Sequence, residues 1–434
     1  MFREALNELN EWHNDSSRKP LLLRGARQVG KSWLVREFGK KFENFVEINF
    51  EKQPEVAEFF SGNLDIPSLL EKLQIYTGKK ITPKNSLLFL DEVQECPRAI
   101  TALRYFKEEL SELPVIAAGS LIDFALEEIG MPVGRVQFLY LHPLSFREFL
   151  LVQERADLCD YIAKKDIATA IHEQLLEQVK TYFWLGGMPA IVDAWIKEKN
   201  PEHCQQLQEE IITSYKQDFA RYKHPAKIEH LDRVFDAIPK QLGKKFKYTN
   251  VDNEVRSADL KSALEALCKA GIAYKVHHSA ANGFPLSSSQ KNNHFKVFFF
   301  DIGLAQRILN LELRQWLLAK LEVQHVGAIA EQFVAQEYIA YTAITTPPNL
   351  FYWHREQRTS NAEIDFIFTK DEHIVPVEVK AGTTGTLRSL QLFLQEHKSS
   401  PYGLRISEKN FSRNDNVLSL PFYAIKTWLQ DKER

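Results

Sequence analysis

The sequence predicts a multidomain α/β protein: a parallel sheet wrapped by helices, then a helical segment, a compact helix-turn-helix unit and a second α/β block. Three observations carry this. In the N-terminal third, strand-like apolar runs alternate with helical stretches. PLLLRG, KSWLVREFGKKF, FVEINF, SLLFLDEV, RAITALRYFKEEL, PVIAAGS and VQFLYL follow one another to about Leu150. Such alternation is the signature of a parallel sheet covered by helices. From about 155 to 225 the pattern is helical throughout, broken at Gly186-Gly187-Met188-Pro189, and beyond about 325 helix and strand mix again. The chain has 434 residues, 44% hydrophobic and 26% charged, an ordinary globular balance with material for two to four domains of roughly 100–200 residues each.

Taken in order, residues 1–13 read as an amphipathic helix with Phe2, Leu6, Leu9 and Trp12 on one face. They open a core domain expected to span 1–154. Residues 155–226 form a helical lid or linker, with Tyr182, Phe183 and Trp184 in its core. Residues 227–290 hold IEHLDRVFDAIPKQL, a basic turn, SADLKSALEALCKAG, the strand IAYKVHH and a polar loop suited to a wing or connector. The last unit, 291–434, opens on a buried strand containing Phe298, Phe299 and Phe300.

Composition excludes several classes. A net charge of −2 and a pI near 6.7 give no global basic field, so any nucleic-acid surface must be local. Cys96, Cys159, Cys204 and Cys268 are scattered without metal-finger spacing, which fits a reducing cytosol. His277, His278 and His294 have no second cluster at zinc spacing. The N-terminus lacks a signal-peptide core, and no apolar run approaches the ~20 residues of a membrane span. The expectation is a soluble cytoplasmic protein without a membrane partner.

Gly25-Ala26-Arg27-Gln28-Val29-Gly30-Lys31-Ser32 fits G-x-x-x-x-G-K-[ST], following an apolar strand and opening a helix. A phosphate cradle is expected from Gly25 through Trp33, with backbone N–H groups and the helix N-terminus facing the phosphates. Lys31 is placed to reach the β- and γ-phosphates of ATP, and Ser32 to ligate Mg²⁺. The run Leu87–Leu90 ends in Asp91 and Glu92. Asp91 there joins the metal shell, and Glu92 polarises the attacking water. Ser120, at the end of PVIAAGS, is either a polar sensor near the γ-phosphate or the cap of the next helix. Arg135 is either an arginine finger for a neighbouring subunit, implying a homo-oligomer, or a surface arginine.

GARQVGKS, FLDEVQE, AAGS, GRV and LHPLSFREFL, in that order, resemble the prokaryotic AAA+ ATPases that carry a C-terminal domain of unknown function. The resemblance continues through YFWLGGMPAIV and FFFDIGLAQ. It implies ATP and Mg²⁺ as ligands, and helical and winged-helix segments after an AAA+ P-loop core. No sensor-2 arginine can be placed.

Further on, Glu331 lies in an apparent helix, Asp365 in an apolar strand, and Glu378 and Lys380 share one face of the strand VPVEVKAG. Glu…Asp…Glu-x-Lys is similar to the PD-(D/E)XK nuclease arrangement, in which carboxylates gather Mg²⁺ and the lysine orients water. The metal set expected is Asp365, Glu378 and Glu331, with Asp365, Glu378 and Lys380 catalytic if the site cuts. The same residues also suit a fold retained for binding alone. Lys240, Lys244, Lys245 and Lys247 surround Gly243 just before the second helix of the 227–290 unit. On a winged helix they would contact DNA phosphates; otherwise they are a solvated turn or a protein contact. Two readings of the whole follow: a DNA-associated motor or switch, or a signalling or scaffold ATPase with an inactive nuclease-like fold.

Overall fold

The computed structural model describes residues 1–130, 134–222, 226–311, 323–355, 362–382 and 385–431. Five strands, β1 (Leu21–Arg24), β2 (Asn44–Asn49), β3 (Ser86–Asp91), β4 (Val115–Ala118) and β5 (Gln137–Tyr140), form a sheet in the order β2-β3-β4-β1-β5. All its pairings are parallel. β1, β3 and β4 are buried at every residue. With helices on both faces they read as unbroken apolar runs rather than as alternating ones. β4 lies between β1 and β3, and Ala118 is level with both Leu23 and Asp91. The segments that leave these three strands therefore converge on one place.

The first helix is Ala5–Asn14 and buries Leu9 and Trp12. Phe2 departs from the expected apolar face: it precedes the helix and is 38% exposed. The inward position at this end is taken instead by Arg3, 3% exposed. The helical segment comprises Ala156–Ile162, Thr169–Leu185, Pro189–Glu198 and Pro201–Asp218. Its break has a simple cause. Gly186 takes φ +77° after the second of these helices, and Pro189 starts the third, where its missing N–H costs nothing.

Eight strands make the second sheet: β6 (Ala273–His278), β7 (Lys291–Phe299), β8 (Leu350–His354), β9 (Glu363–Lys370), β10 (His373–Val379), β11 (Gly403–Ser407), β12 (Ser412–Asn414) and β13 (Val417–Pro421). Their order is β12-β13-β11-β10-β9-β8-β6-β7. β6 and β7 pair antiparallel across the polar loop, and β6 also pairs in parallel with β8. One sheet thus runs across position 290, where the sequence suggested a boundary. The open edge of β6 is satisfied by a strand distant in sequence, which no local pattern announces. Helix Val323–Thr342 lies against β7 and β10. One hydrophobic cluster contains Leu34, Trp184, Phe235 and Phe333 and so joins all four segments.

Candidate functional site

The loop after β1 needs its glycines. Gly25 has φ +140°, and a Cβ there would lie 2.1 Å from the Leu141 carbonyl oxygen. Gly30, at φ +97°, turns the chain into helix Lys31–Gly39, which has no side-chain cap. The amides of its first turn therefore face the loop as an anion-binding end. Lys31 is 8% exposed, and its Nζ donates to the carbonyls of Gly25 (2.9 Å) and Ala26 (2.8 Å). Burial pushes its pKa down to about 8, against the pull of Glu92 and Asp91.

Across the loop, Ser32 Oγ donates to Asp91 Oδ2 at 2.9 Å and Asn49 Nδ2 donates to the same oxygen at 3.1 Å. Burial raises the Asp91 pKa, and these two bonds hold it back. Glu92 sits at φ +54° just past β3, with its Oε2 accepting from Gln94 Nε2 at 2.7 Å. The cradle residues, the hydroxyl and the two carboxylates are thus brought together by β1 and β3. Trp33 lies in the same helix, half-buried against the main core.

Ser120 follows β4, between the other two strand ends. It does not cap the next helix, Ile122–Ile129, which begins after Leu121 without a side-chain cap. Arg135 is exposed beside edge strand β5, and its Nε donates to Glu108 Oε1 at 2.9 Å.

Several residues at this site were not read from the sequence. Arg3 donates to Val29 O (2.8 Å), His142 O (2.7 Å) and Glu148 Oε1 (3.1 Å). Arg27 pairs with Asp218, the Tyr215 hydroxyl donates to Arg27 O, and Gln28 Nε2 donates to Ser214 Oγ at 3.2 Å. Helix Pro201–Asp218 therefore grips the phosphate loop directly. Nothing in the local pattern of an arginine two residues from the chain start, or of a helical Asp, signals such a partner.

In the second sheet, Asp365 on β9 accepts from Val379 N at 2.8 Å, and Lys380 Nζ bonds Glu378 Oε1. At the centre stands Lys296 of β7, 1% exposed. Its Nζ is 2.7 Å from Glu363, 3.2 Å from Glu331 and 3.8 Å from Asp365. Burial opposes its charge, but Glu331, Asp365 and Glu363 outweigh that and raise its pKa. Burial likewise raises the pKa values of Glu331, Asp365 and Glu378. Glu378 Oε2 is buried without a hydrogen-bond partner among the described residues. The expected four residues are brought together, but an ammonium already lies among the carboxylates. Among the described residues, no group of three His, Cys, Asp or Glu side chains is arranged to hold a metal ion. Two signals pointed to the additional members. Lys296 is a lone charge in the apolar run FKVFFF, and strand alternation puts Glu363 on the Asp365 face.

Lys240, Lys244 and Lys247 are exposed and Lys245 is half-buried. Their turn is tied to β7, where Phe246 N donates to Phe295 O at 2.9 Å. A Cβ on Gly243 would lie 3.1 Å from Glu331 Oε1, so the basic turn adjoins the carboxylate cluster.

Residues 17–150 match the family model described as AAA domain. Residues 176–315 and 326–424 match two models described as domains of unknown function, DUF8612 and DUF4143. No curated protein matches the chain. Among solved structures, the chain resembles the Walker-type ATPase of Pyrococcus abyssi at 15% identity and TM-score 0.46, over 71% of this chain and 95% of that one. It resembles the Aeropyrum pernix ORC1 protein in complex with DNA at 14% identity and TM-score 0.28, over 71% and 93%. For the Pyrococcus horikoshii signal transduction ATPase with numerous domains the values are 11% and 0.28, over 79% and 48%. Together with the loop geometry, the match over residues 17–150 supports an N-terminal AAA domain of the P-loop ATPase type.

Proposed function

We propose that the chain binds and hydrolyses ATP and uses the cycle to switch a DNA-binding face in its C-terminal half. The observation that carries the first part is the convergence of Lys31, Ser32, Asp91 and Glu92 on one loop. Lys31 exchanges its two loop carbonyls for phosphate oxygens, and the loop and helix amides hold the remaining charge. Ser32 and Asp91 are the residues that would hold Mg²⁺, which supplies charge neutralisation on the phosphates. Glu92 accepts a hydrogen bond from the attacking water and orients it. Ser120, two residues past the Ala118 that pairs with Leu23 and Asp91, is assigned in this reading to report the γ-phosphate. Arg135 reaches a neighbouring copy only by leaving Glu108.

The DNA half of the proposal rests on the basic turn. Lys240, Lys244, Lys245 and Lys247 offer phosphate contacts on a winged-helix-like unit formed by helices Ile228–Ala237 and Ser257–Lys269 with the β6–β7 hairpin. Gly243, at the centre of this turn, lies against Glu331, which supports a single face shared with the nuclease-like sheet. The ATPase reports back to that face through Asp218 and Tyr215, which hold Arg27. A second reading is favoured by Lys296. An ammonium among Glu331, Glu363 and Asp365 makes those carboxylates fold architecture rather than metal ligands, as a scaffold or signalling ATPase would carry them. No cleavage step is assigned to this cluster.

ATP turnover measured with single-stranded, duplex and branched DNA separates the two. Stimulation that weakens steeply with salt supports the switch, because phosphate contacts release counterions. Turnover indifferent to every DNA form rejects the DNA half and leaves the scaffold reading.

A further inference from the structure

Arg27 is the second cation of the phosphate loop. Lys31 Nζ rests against the Ala26 carbonyl at 2.8 Å, and in the ATP reading Lys31 serves the β- and γ-phosphates. The end of the site that takes the γ-phosphate is therefore the opening of the loop, where Arg27 follows Ala26. The charges there act on one another. Burial works against the charge of Arg27, but Asp218, Glu51 and Glu92 outweigh it and hold its pKa above the ordinary value. Arg27 in turn acts on the Lys31 ammonium.

The guanidinium is engaged with the helical segment, where Nη1 pairs with Asp218 Oδ2. Its side chain is 35% exposed, so the rest of the fork stays open to a further anion. Asp218 is awkwardly placed for a carboxylate. It ends helix Pro201–Asp218, where the carbonyl ends already carry negative potential, and its side chain is only 13% exposed. It needs a cation, and two compete for it. Less than one turn on, Arg221 has its Nε 3.9 Å from Asp218 Oδ1 and its Nη1 3.0 Å from Glu51 Oε1. Asp218 can therefore give up Arg27 and keep a cation beside its second oxygen. Among the described residues, the other side-chain bonds from this helix to the loop join neutral groups: Tyr215 Oη with Arg27 O, and Gln28 Nε2 with Ser214 Oγ.

We propose that Arg27 is a latch opened by the γ-phosphate of ATP. It holds Asp218 in the empty and ADP-bound chain. When the γ-phosphate lies beside it, Arg27 exchanges the carboxylate for that phosphate and Asp218 turns to Arg221. Helix Pro201–Asp218 then loses its ionic hold on the loop. Lys31 gathers the phosphates first, since Arg27 stays committed until the γ-phosphate arrives. Both positions of the latch keep its charges paired, which makes them alternative states of one element. The inference rests on the ATP reading above and gives it a direction: ATP, and not ADP, releases the helical segment.

The test uses the full chain with ADP and with β,γ-imido-ATP, a non-hydrolysable ATP analogue. Affinities come from calorimetric titration, and the state of helix Pro201–Asp218 from hydrogen exchange. Arg27→Met should weaken the analogue at least about tenfold, the scale of a hydrogen bond to a charged group, and leave ADP affinity within about twofold. Asp218→Asn keeps the shape and removes the charge. It should tighten the analogue about fivefold but not ADP, and the gain should vanish in the Arg27→Met background. In the parent, helix exchange should be faster with the analogue than with ADP, and in Arg27→Met the two should agree. A parent that binds neither nucleotide would overturn the ATP reading and this inference with it. If the parent binds both, three results would overturn this inference alone: equal weakening of both by Arg27→Met, an affinity ratio unchanged by Asp218→Asn, or helix exchange indifferent to which nucleotide is bound.

Discussion

At the residue scale, two carboxylate settings are solved in opposite ways. Around the phosphate loop, Asp91 is held by neutral donors, Ser32 and Asn49, and Lys31 by neutral acceptors. Each charge is thus stabilised while staying able to meet a ligand. Lys31→Ala is expected to abolish ATP turnover and binding, because the other loop cation, Arg27, is committed to Asp218 and leaves Lys31 alone for the β/γ-phosphates. Glu92→Gln should keep binding and slow hydrolysis by about 10²–10⁴, the usual range for a lost general base. Parental turnover in the latter would remove Glu92 from the water-orienting role. In the second sheet the charges are closed on one another instead. Lys296→Met strips the cation from Glu331, Glu363 and Asp365 and should cost about 3–5 kcal/mol in urea unfolding, as when one partner of a buried ion pair is removed. An unchanged midpoint would show that the three carboxylates manage without it.

At the element scale, one clasp explains several sequence blocks at once. Asp301, fully buried, accepts from Leu304 N at 3.0 Å, capping helix Ile302–Ile308, and from Gly187 N at 2.7 Å. Gly187 O in turn accepts from Leu144 N at 2.7 Å. A Cβ on Gly187 would lie 2.2 Å from Leu144 O, and one on Gly303 2.2 Å from Leu185 O. LHPLSFREFL, LGGMP and FFFDIGL are therefore three sides of one joint. Gly187→Ala is expected to destabilise the protein by ~3 kcal/mol or more, since rigid backbone, not a mobile side chain, meets the added methyl. A melting temperature within a degree of the parent would reject the joint. The clasp also predicts a pH effect. Burial pushes the Asp301 pKa up to about 6, above its ordinary 3.8. The folded state then binds the proton more tightly, so this group's stabilising contribution is full below its ordinary pKa and declines as pH rises toward about 6. Asp301→Asn should remove that decline. Urea midpoints of both proteins from pH 4 to 6, with the same slope in each, would show that Asp301 does not titrate there.

At the scale of the molecule, the phosphate loop is held from three directions: Arg3 at the N-terminus, Asp218 and Tyr215 on the helical segment, and the wall near Gly271, whose Cβ would lie 3.5 Å from Ala26 N. A change at the nucleotide therefore has direct routes to the helices and to the β6–β7 hairpin. Reversing Lys244 and Lys245 to Glu should weaken DNA binding and reduce the salt slope by about one per lost phosphate contact, with the basal ATPase rate unchanged. Identical affinity and slope would assign the turn to solvent or to protein. If Arg135 serves a neighbour, mixing Arg135→Ala with Glu92→Gln chains should restore turnover that neither shows alone. Full activity of a monomer in dilute solution would exclude it.

The sequence by itself determined the phosphate loop, its glycines, the helix that opens with Lys31 and Ser32, and the apolar strand that carries Asp91 and Glu92 into place. These are local requirements: a positive φ at Gly25 and Gly30, a helix opened at Lys31, and strands buried on both faces. Alternation along a strand likewise made the common face of Glu378 and Lys380 legible; FKVFFF read only as buried strand, although a lysine buried there needs a partner. Tertiary structure alone decided which partner. Lys296 meets Glu331 and Glu363 because β7 and β9 belong to one sheet beneath helix Val323–Thr342, and that pairing depends on chain closure over long separations.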